Sequence, residues 1–234
     1  MTRVRRVVTS RPGGVSNQPY ATFNLGGHVG DDPTAVEANR ARLAQELSLD
    51  PASLVWMHQV HGDQVTIIES TPPAAVPACD ALVTDAPGVA LVVLVADCVP
   101  VLLADGQAGV VGAAHAGREG VRTHVVTRTV EAMIELGAQR DRLDVLLGPA
   151  ICGRCYEVSQ ELVDQVEAAA PGGASRTPTG APALDLRAAL ASELACQGVK
   201  LVVSDPRCTA QDPTLFSYRR DGITGRQAGV IWRS

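Results

Sequence analysis

The sequence predicts an α/β (α+β) layered sandwich, with mixed sheets flanked by helices in a single domain over residues 1–234. Three observations lead there. Short Val-rich runs alternate with amphipathic stretches, yet several of the runs follow one another directly, which a strict βαβ array does not do. Hydrophobic residues make up 46% of the 234 and charged residues 19%, enough to fill a sizeable core. Aromatic residues are scarce (Phe 2, Trp 2, Tyr 3), so that core is built from Val, Leu and Ala.

Taken in order, VRRVVT at 4–9 suits a strand, and RPGGVSN after it is turn chemistry. Residues 32–47 read as a helix: Asp32 caps it, Pro33 takes the first helical position, and Val36, Leu43 and Leu47 share one face. Strands follow at 54–57, 65–69 and 81–85, then at 89–96, 99–104 and 108–114, the last three as buried runs bounded by Asp and Gly turns. A helix over 121–136 stops at Gly137, with His124 in its middle. A strand at 143–147 leads into GPAICG, and helices at 160–170 and 183–197 flank the surface loop PGGASRTPTGAP. Strands at 200–204 and 227–232 complete the pattern.

The net charge of -5 does not fit a nucleic-acid-binding footprint. No apolar run approaches the 18 or so residues that a membrane-spanning helix needs, and MTRVRRVVTS lacks the apolar segment of a signal peptide. The expectation is a cytoplasmic protein with reduced thiols and no obligate protein partner, so Cys79, Cys98, Cys152, Cys155, Cys196 and Cys208 are separate chemical questions.

A single histidine is more often a hydrogen-bonded surface residue than a ligand. Three donors nevertheless share a setting. His61 in QVHGD, Cys98 in VADCVP and His115 in AAHAG each follow an apolar stretch at a strand end, among small neighbours. Two imidazoles and a thiolate suit Zn²⁺, and three protein ligands leave the fourth position that a catalytic site keeps open. Their spacing matches no short zinc signature, and Cys98 with His115 also fits a metal-free nucleophile–base pair. Cys152 and Cys155 form a lone CxxC without a thioredoxin-like context, which reads as structural cysteines. Arg40 in the first helix, and Arg219 with Arg220 after LFSY, are candidates for an anion site; the plainer readings are a solvated helix face and an exposed turn.

The stretches NLGGHVGDDPTAVEANRARL, QVHGDQV, CDALVTDAPGVALVVLVADCVPVLL, AAHAGREG, LGPAICGRCYEV and SDPRCTAQDPTLFSYRRDGITGRQAGVIW together resemble the laccase-domain family. Its members were once described as multicopper polyphenol oxidases and are now described as purine nucleoside phosphorylases. The resemblance runs over about residues 10–232. It implies a layered α/β sandwich and a zinc ion on His61, Cys98 and His115, the trio already singled out, with these residues at the catalytic centre. It implies phosphorolysis of adenosine, inosine, guanosine and methylthioadenosine to free base and (methylthio)ribose 1-phosphate, with some adenosine deamination and Arg40 near the substrate. Two departures stand out: Arg118–Glu119 replace the Trp that many relatives carry after AHAG, and His58 precedes QVHG. His58, Asp97 and Glu119 are the acid/base candidates. The rivals are a Cys98/His115 cysteine hydrolase acting on cell-wall precursors and a copper-dependent phenol oxidoreductase. The second would need many imidazoles in defined geometry, which His 5 does not furnish.

Overall fold

A computed structural model of the chain describes residues 3–234. The elements run β1 (Val4–Val8), α1 (Pro33–Leu47), β2 (Leu54–Val55), β3 (Val65–Ile67), β4 (Ala81–Thr84), β5 (Ala90–Val95), β6 (Val99–Asp105), β7 (Val110–Ala116), α2 (Arg118–Arg122), α3 (Val125–Glu135), β8 (Asp144–Leu147), α4 (Gln160–Ala169), β9 (Ala174–Arg176), β10 (Pro182–Leu184), α5 (Leu186–Cys196), β11 (Leu201–Ser204), α6 (Tyr218–Asp221) and β12 (Gln227–Arg233). Two mixed sheets dominate. One has the order β1-β12-β5-β2 and the other β11-β8-β6-β7-β4-β3.

The layering follows from how the strands split their side chains. In β5, Ala90, Val92 and Leu94 pack with Leu43 and Ala44 of α1, while Leu91, Val93 and Val95 turn towards the other sheet. In β6 and β7, Leu102, Ala104, Val111 and Ala113 meet them there. Val99, Val101, Leu103, Val110 and Ala114 face the helices, among them Val126, Val130 and Met133 of α3 and Leu190 of α5. The result is helix, sheet, sheet, helix. Strands covered on both faces have no polar side, which is why these stretches read as unbroken apolar runs. A fully buried Leu such as Leu102 or Leu103 contributes about 1.5–3 kcal/mol. Gly112 permits the close approach of α3, since a Cβ there would lie 3.1 Å from Met133 Sδ.

The start of α1 follows its sequence signals: Asp32 accepts the Thr34 N–H at 2.9 Å, and Pro33 takes the first turn. Three expectations need correction. The helix over 121–136 is two helices, because His124 sits at φ 63 and breaks it between α2 and α3. A donor at Nδ1 of His124 faces Glu193 at 3.3 Å, an anchor that periodicity does not reveal. The 171–182 loop contains β9 and pairs it with β10, which also delays the start of α5 to Leu186. The turn at LFSYRR is the short helix α6, capped by Ser217 through the Arg220 N–H.

Candidate metal centre and adjoining cavity

The strand parity that separates the layers also aims the site. Asp80, Cys98 and His115 fall on the inter-sheet parity of β4, β6 and β7. Antiparallel register brings Ala81 opposite Ala114 and Pro100 opposite His115, so all three lie at one end of the six-stranded sheet. The loop between β2 and β3 delivers His61 to the same end, because β3 starts beside β4 with Val65 opposite Ala81. As a result one donor atom each from His61, Cys98 and His115 lies within 4.8 Å of the others. The two imidazole rings meet edge to face, with centroids 4.7 Å apart.

Asp80, which sequence reasoning missed, organises this centre. Its carboxylate is fully buried. Oδ1 accepts the His61 N–H at 2.9 Å and faces His115 Nδ1 at 2.8 Å. Oδ2 accepts the N–H of Gly62 at 2.7 Å and of Val60 at 3.1 Å. These bonds hold His61 at φ 60, a left-handed conformation unusual for a residue with a side chain. In the neutral ring, a proton on His115 Nδ1 would leave Nε2 free for a cation, the arrangement by which a carboxylate orients a metal-binding histidine. Burial works against the Asp80 charge, but hydrogen bonds from His115, Gly62 and Val60 outweigh it and hold the carboxyl below its usual range. The same charges act on the pair behind it. Burial opposes a Cys98 thiolate, yet His115 and then His61 bring its pKa down to about 6. Burial opposes an imidazolium at His115, yet Cys98 and Asp80 bring its pKa up to about 9. Cys98 is therefore primed as a thiolate, the form in which sulfur binds a metal.

The donor set fits zinc. Two nitrogens and one sulfur are borderline ligands, their separation is within small side-chain adjustments of one shared ion, and the carboxylate behind His115 is in place. Gly117 is part of the fit: a Cβ there would stand 3.0 Å from Cys98 Sγ and 3.2 Å from His61 Cδ2.

Beside the centre lies a cavity of about 430 Å³, lined by His61, Asp97, Cys98, Tyr156, Arg219 and Arg226 among others. Arg219 stacks on Tyr156 at 5.1 Å and donates to the Glu157 carbonyl at 3.0 Å, and its own N–H reaches Asp97 Oδ2 at 2.8 Å. Arg226 carries no sequence signal beyond its basic character; it is half-buried, and its N–H is fixed by Asn24 Oδ1 at 2.8 Å. Burial first, then the charges of Arg226 and Arg40, keep His28 below its ordinary pKa. Arg40 itself stacks on Trp56 at 4.0 Å and donates to the Leu25 carbonyl, without lining the cavity. Arg220 also stays out of it, spending its guanidinium on the carbonyls of Thr209, Asp212 and Leu215 and on Asp221. Of the acid/base candidates, Asp97 lines the cavity, whereas Glu119 is held on the outside by Arg122 and His58 is exposed outside the lining.

A family described as "Multi-copper polyphenol oxidoreductase laccase" matches residues 5–234. The chain belongs to this family. The laccase-domain chain is 54% identical over 230 residues to a purine nucleoside phosphorylase of Mycobacterium tuberculosis, covering 98% of this chain and 92% of the relative. It is 54% identical to a purine nucleoside phosphorylase of Corynebacterium glutamicum, with 98% and 94% covered. Among solved structures it superposes on YlmD from Geobacillus stearothermophilus with a TM-score of 0.93 at 35% identity, covering 98% of this chain and 92% of that one. The copper in the family description finds no matching imidazole array here. Among the described residues, the donor groups that lie close enough for one ion are His61–Cys98–His115 and Cys152–Cys155–Cys208. No helix among those residues is long and apolar enough to cross a membrane.

Proposed function

We propose that this chain is a zinc-dependent purine nucleoside phosphorylase that cleaves adenosine, inosine, guanosine and methylthioadenosine, with adenosine deamination as a side activity. The names and identities of its relatives support the reaction class. The observation that carries the reading is the cavity, which brings His61, Cys98, Arg219 and Arg226 together around a space suited to one nucleoside and one anion.

Phosphorolysis breaks the bond between the anomeric carbon and the base nitrogen and joins a phosphate oxygen to that carbon. The base departs with the electron pair and takes up a proton. Arg219 and Arg226 bind the phosphate with charge-assisted bonds and orient one oxygen towards the sugar. Tyr156 supplies a flat apolar wall for the base, backed by the Arg219 guanidinium. Asp97, anchored by the Thr209 hydroxyl at 2.5 Å, fixes Arg219 through its main-chain N–H. Asp80 keeps His61 and His115 aimed at the shared position. His61, Cys98 and His115 would hold a zinc ion, which would supply Lewis acidity useful to deamination as well as to phosphorolysis.

The test is incubation of zinc-loaded protein with adenosine, inosine and methylthioadenosine, with and without phosphate. Free base is expected only when phosphate is present, together with a sugar 1-phosphate, and Cys98→Ala abolishes its release. Phosphate-independent hydrolysis, or wild-type turnover by Cys98→Ala, overturns the reading. A chelator-resistant activity with an acyl adduct on Cys98 would establish the cysteine-hydrolase reading instead.

A further inference from the structure

A second set of soft donors lies outside the centre described above. Cys152 and Cys155 belong to the turn that follows β8, and Cys208 comes from the segment after β11. Their sulfurs lie within 4.8 Å of one another, and none is in a disulfide. The backbone builds this convergence. Ala150 pairs with Cys208 in a parallel bridge, and the Thr209 N–H donates to the Ala150 carbonyl at 3.2 Å. The N–H groups of Cys155 and Tyr156 both donate to the Cys152 carbonyl, at 2.9 and 3.0 Å, which folds the CxxC back on itself. The Cys152 N–H then donates to Cys208 Sγ at 3.3 Å. An N–H aimed at sulfur stabilises negative charge on it, as ligand-supporting bonds do around metals.

We propose that Cys152, Cys155 and Cys208 form a second cation site, with a fourth position open to solvent, selective for a thiophilic d¹⁰ ion such as Zn²⁺. Bonds of about 2.3 Å in tetrahedral geometry separate sulfurs by about 3.8 Å, so the cluster closes on an ion with side-chain rotation alone. Cys152 and Cys155 are half-exposed, which gives the ion a path in and leaves the fourth position to solvent. Cys79 shows the contrast: it is 1% exposed and packs in the core between the sheets, with its thiol near the Val76 carbonyl and the Thr66 side chain, and it belongs to no such donor cluster among the described residues.

The site has a purpose for the cavity. Ile151 and Tyr156, which bracket the CxxC, line the cavity, and the Ile151 N–H donates to the Asp97 carbonyl at 3.1 Å. Thr209, next to Cys208, holds Asp97, and Arg219 donates to the carbonyls of Cys155 and Glu157. An ion on the three sulfurs pins both segments of this wall to each other, and so positions Arg219 and Tyr156.

The experiment counts zinc. Full-length wild type, Cys98→Ala, Cys155→Ser and the double variant are loaded with Zn²⁺ under reducing conditions, desalted and analysed for metal per chain. Two ions are expected in wild type, one in each single variant and none in the double. Cys155 is half-exposed, so its serine variant keeps the fold, which circular dichroism checks. In parallel, Co²⁺-loaded Cys98→Ala shows a thiolate-to-cobalt charge-transfer band that Cys155→Ser removes. A single ion in wild type that disappears with Cys98→Ala overturns the proposal, as does a Cys98→Ala protein with no cobalt–thiolate band. Neither readout depends on nucleoside turnover, so the proposed reaction can fail while this site stands.

Discussion

Replacing Asp80 with Asn leaves the side chain's size unchanged but removes its charge and half of its acceptors. The carboxylate serves four donors: His61 N–H and His115 Nδ1 at one oxygen, Gly62 N–H and Val60 N–H at the other. The amide can orient in two ways. With its oxygen towards His115, its NH₂ confronts the Gly62 and Val60 donors. With its NH₂ towards His115, the imidazole must accept at Nδ1 and carry its proton on Nε2, the nitrogen the proposed ion would need. The first orientation orphans two N–H groups at about 1–3 kcal/mol each, a loss of about 2–6 kcal/mol in stability. The second keeps His115 from binding metal in its working form. Supporting carboxylates are worth about 10–100-fold in metal affinity, equivalent to about 1.4–2.8 kcal/mol. Urea unfolding of the metal-free protein measures the first effect, and competition with a chromophoric chelator measures the second. An Asp80→Asn protein with wild-type midpoint and zinc affinity would refute the role given to this carboxylate.

Gly117→Ala places a methyl group against Cys98 Sγ at a φ of −79 that any residue adopts; zinc affinity falls about tenfold, equal to about 1.4 kcal/mol, with little change in unfolding midpoint, as chelator competition and urea titration measure. Asp105→Asn disturbs a buried carboxylate that accepts the N–H groups of Gln107, Ala108 and Gln139 and the Arg142 guanidinium, at a cost of about 2–4 kcal/mol in denaturant unfolding. Burial opposes that charge but the four bonds outweigh it and lower the pKa, so the wild-type advantage over Asn is full above pH 4 or so and fades as pH drops through the lowered value. Arg226→Gln raises the KM for phosphate about tenfold or more while leaving the fold intact, measured by steady-state kinetics at saturating nucleoside.

The strands were readable because the layers cover both of their faces: LVVLV and VLLAD have nowhere polar to point, so continuous apolarity marked them. Cys98 and His115 were readable for the same reason, as reactive side chains at the edges of such runs. Asp80 was not. Before ALVT it looks like any turn residue, and only the pairing of β4 with β7 reveals that it faces His115. Arg226 was equally hidden, because its position depends on Asn24, some two hundred residues earlier. Arg219 and Arg220 are neighbours in sequence, but the short helix α6 sets the first in the cavity wall, against the Cys155 and Glu157 carbonyls, and turns the second away from it. His124 was misplaced because its break in the helix is fixed from outside, by α5 through Glu193.

The pairing of β6 with β7 sets Pro100 against His115 and Val99 against Ala116. Strand side chains alternate strictly, so a shift of this hairpin by a single residue would rotate the imidazole out of the space between the sheets and into the helical layer. Under the proposed function, ion capture would therefore depend on correct assembly: a chain that zips out of step would retain its hydrophobic content but lose the His115 ligand. Loading at that position during refolding would report correctly aligned molecules, separately from the merely collapsed ones.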